Sequence, residues 1–193
     1  MNLCFELTKS ETVFLPDSGV MPLSKADLKP EDLSTTVLNP SNLENFIVKA
    51  KSNGWVALEP NGKNIPPSKI GSYDIIFDAG DLHYHDSFVG LSDFCGQECV
   101  TLSGEPIWSM AYHGYLLKPD EFAGEDAIRV LKPALGKMYS EGRFLGGISS
   151  RIGEAEYRDI NDGDYKRFSG TEQIWNKGKL VYELRYFGGL VRK

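Results

Sequence analysis

Residues 94–116 read FCGQECVTLSGEPIWSMAYHGYL, and residues 168–190 read FSGTEQIWNKGKLVYELRYFGGL. Laid over one another without gaps, the stretches share seven identities in 23 positions: Phe94/Phe168, Gly96/Gly170, Glu98/Glu172, Gly104/Gly178, Tyr112/Tyr186, Gly114/Gly188 and Leu116/Leu190. Val100/Ile174, Ile107/Val181 and Trp108/Tyr182 match in kind. Each stretch reads as two strands joined by a tight turn, with Gly at the turn and aromatic or β-branched residues on either side. Side chains alternate across a strand, so Trp108, Met110 and Tyr112 share one face and Tyr182, Leu184 and Tyr186 the equivalent one. On the preceding strands, Glu98 faces the same way as Val100 and Leu102, and Glu172 the same way as Ile174. A carboxylate in register with apolar neighbours is costly to bury unless paired, and here the pattern occurs twice.

Outward from these stretches, each unit follows a helix. Ser41-Asn-Leu-Glu44 is a capping-box pattern, with Leu43, Phe46, Ile47 and Ala50 on one helical face and Gly54 placed to end it. A second helix is expected at about 121–141, with Ile128, Leu131, Leu135, Met138 and Tyr139 facing one way. Pro133 should kink it or begin another helix, because the ring clashes with the preceding turn. Further strands are expected at 55–58, 73–78, 82–90, 97–103, 106–117, 152–159, 164–168, 170–176 and 179–191. The expected fold is α+β: internally duplicated helix-plus-antiparallel-strands units, about 41–117 and 121–191, forming a curved or two-part antiparallel sheet packed by two helices. Residues 1–40, punctuated by Pro16, Pro22, Pro30 and Pro40, read as an N-terminal arm on the domain 41–193.

The net charge of −6 argues against a broad phosphate-neutralising surface, so no direct nucleic-acid binding is expected. Cys4, Cys95 and Cys99 are odd in number and lack framework spacing, which fits a reducing compartment. No secretory leader and no membrane-length apolar run is present, so the expected setting is cytoplasmic, without membrane contact.

Three stretches, GDLHYHDSFVG (80–90), FCGQECVTLSGEPIWSMAYHG (94–114) and GDYKRFSGTEQIWNKGKLVYELRYFGG (163–189), follow a pattern. It runs Tyr-x-Asp-x-Tyr/Phe-x-Gly, Phe-x-Gly-x-Glu, Gly-x-Pro-Val/Ile-Trp-x-Met-x-Tyr-x-Gly, then a second Phe-x-Gly-x-Glu and Tyr-x-Gly-Gly. From about Phe46 to Val191 the chain thereby resembles a bacterial domain of unknown function. That domain is usually found C-terminal to Xre-type helix-turn-helix domains in putative transcription regulators. The resemblance implies the sensory or effector half of a regulator, with no chemistry to carry over. Forty Pro-interrupted residues are too few for the helix-turn-helix half. A looser likeness of fold alone links such duplicated units to gyrase-inhibitor-like drug-binding domains, some of whose relatives are hydrolases.

The candidate site centres on Glu98 and Glu172 as the floor of a pocket, with Trp108, Tyr112, Tyr182, Tyr186 and Tyr84 as aromatic walls and Asp86 beside Glu98. Such a pocket suits a cation or polar ligand through charge pairing and cation–π contact. The plainer alternative is that each glutamate accepts structural hydrogen bonds. His83 and His85, with Asp81, Asp86 and His113, could suggest zinc, but solvated strand-face histidines are the favoured reading, and no metal or other cofactor is expected. The leading expectation is a non-enzymatic small-molecule or partner-binding module. Its alternatives are a hydrolase-like enzyme using Glu98 or Glu172 with nearby tyrosines, Asp86 and Glu98 forming an acid/base pair, and a pure protein-interaction protein.

Overall fold

A computed structural model describes residues 40–57 and 65–192, with side chains from Asn42 onward. The arm proper (1–39), Leu58 and the capping role of Ser41 lie outside the described residues. Helix α1 (Pro40–Asn53) opens on proline, whose fixed φ and missing N–H suit a first helical position. Its Leu43, Phe46, Ile47 and Ala50 are buried as their spacing requires, and Val48 and Lys51 join them.

Eight antiparallel strands follow: β1 (Tyr73–Ala79), β2 (Leu82–Gly90), β3 (Phe94–Leu102), β4 (Glu105–Leu116), then β5 (Ile148–Ile152), β6 (Ala155–Asp164), β7 (Arg167–Asn176) and β8 (Lys179–Leu190). They form one open sheet in the order β1-β2-β3-β4-β8-β7-β6-β5. Two meanders therefore meet at their last strands, where β4 pairs with β8 from Trp108↔Leu190 to Leu116↔Tyr182. The two-residue turns Ser103-Gly104 and Lys177-Gly178 both hold positive φ, the geometry that lets a hairpin follow the strand twist. Bulges fall between Val100 and Thr101 and between Ile174 and Trp175.

Helix α2 (Gly124–Ser140) links β4 to β5 and packs on α1, β5 and β6, while α1 packs on β1 and β2. The Ala123 N–H donates to Asp126 Oδ2 at 3.1 Å, which fixes the start of α2 three residues later than the sequence suggested. Pro133 does not start a second helix; α2 continues through it. It lies on the exposed face, where the carbonyl it leaves without a donor can meet water. Ile128, expected on the buried stripe, is 43% exposed; Ala127 and Val130 take the core positions instead.

Three other expectations need correction. Gly54–Ala57 is a turn closed by Ala57 N–H to Gly54 O, not a strand. The single strand expected at 152–159 is a hairpin whose turn uses Gly153 at φ 62°. The expected strand at 164–168 is broken by a turn at Tyr165-Lys166. In each case the interruption is two to four residues long, too short to break a periodicity read over a wider window.

Candidate functional site

Beneath α2, on the helix-covered face of the sheet, lies a cavity of about 580 Å³. Most of its wall is aromatic and aliphatic, including Tyr73, Phe88, Leu91 and Leu131. Its polar floor is Asp86, Glu98 and Glu172, with Lys51 entering from α1. Six of the eight residues expected at the site line this space: Glu98, Glu172, Asp86, Tyr84, Tyr112 and Tyr182. Trp108 and Tyr186 do not. Trp108 is fully buried, donates its indole N–H to Tyr165 O at 3.0 Å and stacks on Phe168. Tyr186 donates to Asp159 Oδ1 at 2.7 Å.

The carboxylates are placed by the strand register. Asp86 on β2 and Glu98 on β3 are direct cross-strand partners, and so are Asp159 on β6 and Glu172 on β7. Each aspartate accepts a hydrogen bond from a tyrosine two strands away, Tyr112 Oη to Asp86 Oδ1 and Tyr186 Oη to Asp159 Oδ1, both at 2.7 Å. The tyrosines reach across because glycines sit beneath their rings: a Cβ on Gly96 would stand 2.5 Å from Tyr112 Oη, and one on Gly170 2.3 Å from Tyr186 Oη.

Lys51 Nζ meets Glu98 Oε1 at 2.5 Å, with both residues buried (8% and 5% exposed). Glu98 Oε2 and Asp159 Oδ2 are buried without a hydrogen-bond partner among the described residues. Burial, then the charge of Glu98, push the Asp86 carboxyl up to about 7, against the opposing pull of Tyr112 and Lys51. Burial, then Asp159, push Glu172 up to about 8. Burial also raises Asp159 and holds the Tyr84, Tyr139 and Tyr182 hydroxyls well above their ordinary value, so these tyrosines are neutral donors. At neutral pH the floor is thus a partly protonated acidic basin with one internal ammonium. It can donate and accept protons and can neutralise positive charge.

The sequence reading missed Lys51, Tyr139 and Asp159. Lys51 was visible as a cation four residues after Ile47 on the buried stripe. Asp159 was hidden because the second unit carries one residue more before its Phe, so the ungapped overlay sets Asp86 against Ile160.

The histidines lie elsewhere, on the opposite face. His85 Nε2 pairs with the buried Asp74 at 2.6 Å, and His83 Nδ1 with Asp78 at 2.5 Å. Asp81 and His113 do not join them, and among the described residues no group of three or more His, Cys, Asp or Glu side chains is placed to hold a metal. Cys95 and Cys99 are free thiols. No helix among the described residues is long and apolar enough to cross a membrane.

Fold and site define an α+β protein with a carboxylate-floored cavity between a sheet and its covering helix. Residues 86–191, more than half of the chain, match the family model described as a domain of unknown function (DUF5680), and the chain belongs to that family. The matched stretch contains Asp86, Glu98, Asp159 and Glu172 but not Lys51. No curated protein and no solved structure matches the chain.

Proposed function

We propose that the chain is a non-enzymatic binding module of the sensory or effector type, whose cavity takes a small molecule with a cationic head and an apolar body. The observation that carries this is the charge balance of the cavity among the described residues: Asp86, Glu98 and Glu172 on the floor and Glu125 on the wall against one lysine, with an otherwise mostly apolar wall. A pocket of this size buries most of a small ligand, and a few convergent polar groups fix its orientation. The aromatic side chains offer faces to a cation. The setting is cytoplasmic, and the module acts as the ligand-responsive half of a regulator used without its helix-turn-helix. The free Cys95 and Cys99 are in keeping with a reducing compartment.

The same proposal includes an internal duplication of units 41–117 and 121–191. Its support is the shared register: Glu98↔Met110 and Glu172↔Leu184 pair alike, the bulges follow Val100 and Ile174, and each unit repeats the Asp–Tyr hydrogen bond over a glycine.

The test is Glu172→Gln. Because the native carboxyl is raised to about 8, the amide replaces a group that is largely protonated at pH 7, and the thermal midpoint there should barely move. Binding of an alkylammonium probe at pH 8.5, where the native group is largely ionised, should weaken at least tenfold. A lowered midpoint with undiminished binding would assign Glu172 to structure and leave the reading without its floor. A second reading, a hydrolase using Glu98 or Glu172, draws on one separate observation: a carboxyl raised to about 8 can serve as a general acid near neutrality. Turnover of a bound compound, abolished in Glu172→Gln, would favour it.

A further inference from the structure

Lys51 is the only lysine, arginine or histidine lining the cavity among the described residues. It belongs to the last turn of α1, where the helix carbonyls favour a cation. Its ammonium bonds one oxygen of Glu98 and lies 6.0 Å from the centre of the Phe144 ring. The other Glu98 oxygen is buried and has no partner among the described residues. A cation entering the cavity would draw on the carboxylates that Lys51 already serves, in surroundings where two like charges repel strongly.

We infer that Lys51 is an internal rival to the ligand's cationic head, a tethered counter-ion that stabilises the empty cavity and sets how tightly a cation can be held. This rests on the proposed function. Lys51 is then a specificity-determining residue of unusual sign: removing its charge strengthens binding. Neutral ligands do not compete for the carboxylates and are indifferent to it. A cationic ligand that displaces the ammonium from Glu98 must offer a better-placed positive charge, so Lys51 discriminates among cations and leaves neutral mimics of the same shape unaffected.

The full chain would be titrated with decyltrimethylammonium, decanol and decanoate, which share an alkyl chain and differ in charge. Wild type should prefer the cation. Lys51→Met should bind it at least tenfold more tightly, with decanol affinity within twofold of wild type. Lys51→Arg, which keeps the charge, should resemble wild type. If Lys51→Met is too unstable to titrate, its thermal midpoint reads the same quantity: the cation should raise it by clearly more than it raises wild type, and decanol should raise both alike. Cation binding that is equal or weaker in Lys51→Met, or equal midpoint shifts, overturns the rivalry and leaves the binding module standing. A wild type that binds none of the probes, or prefers decanol or decanoate, overturns both.

Discussion

Asp86 and Glu172 make the empty protein sensitive to pH in a direction opposite to most carboxylates. Their folded values, about 7 and about 8, lie above those of an unfolded chain, about 3.9 and 4.3. The folded state therefore binds their protons more tightly. The stability this contributes is complete below about pH 4 and is lost as pH rises through 7 and 8. Around these two groups stand Lys51 from α1, Tyr139 from α2, Asp74 from β1, Glu98 from β3, Tyr112 from β4 and Asp159 from β6. Asp74 acts in the reverse sense. Although burial opposes it, hydrogen bonds from Ser68, Ser72 and His85 hold it well below its ordinary value, so its stabilisation is lost only under acid conditions. Between pH 5 and 9 the thermal midpoint of wild type should fall by several degrees, since about 1 kcal/mol corresponds to roughly 2–4 °C in a chain of this length. Asp86→Asn combined with Glu172→Gln should flatten that slope; an unchanged slope would show that the basin does not titrate in this range. Lys51 supplies the complementary measurement. Removing it alone strands the Glu98 charge, which should cost about 3–5 kcal/mol in urea unfolding at pH 7. Lys51→Met with Glu98→Gln should recover most of that loss, because neither charge then remains.

At the scale of elements, the sheet is held in register by paired small and large residues. Gly96 and Gly170 leave room for the Tyr112 and Tyr186 rings, whose hydroxyls then reach Asp86 and Asp159. Gly170→Ala should destabilise by about 1–3 kcal/mol, since a Cβ at 2.3 Å from Tyr186 Oη must displace the ring. Gly96→Ala should do much the same, and Gly142→Ser, at a loop glycine with open space around it, measures the bare cost of positive φ for comparison. Chemical denaturation of the three variants gives the ranking. The strands were legible because the alternation of β3, β4, β7 and β8 is strong and their turn glycines are conspicuous. The β5–β6 hairpin was not, because β5 has only Ile148 and Ile152 to mark its inward face, too few residues for the shift from even to odd inward positions across Gly153-Glu154 to stand out. Most of the cavity wall was likewise written into the strand faces: Tyr84, Tyr112 and Tyr182 line it as alternation required. Trp108 obeys the same alternation but its indole finds Tyr165, far away in sequence. Lys51 could be placed on the buried stripe of α1, but its partner Glu98 could not, because no local pattern tells which strand a helix will cover.

For the molecule as a whole, the two meanders join through β4 and β8, and that join lies at the middle of the sheet. Among the eight strands, β8 is the last to leave the ribosome. The first meander can pair its own strands early, yet β4 keeps an open edge while α2 and four more strands are made. At about 5–20 residues per second that interval lasts several seconds. Until β8 arrives, Trp108, Met110 and Tyr112 have backbone groups on offer to any passing strand, the situation in which nascent chains mispair. Gly114 on β4 and the charged Glu183 and Arg185 on β8 bear on the same interval: one breaks the apolar run of the waiting strand, the others keep the arriving strand soluble. The junction that unites the finished sheet is thus also its most exposed moment during synthesis, and the completed cavity, which needs residues from both meanders, is among the last features of the protein to exist.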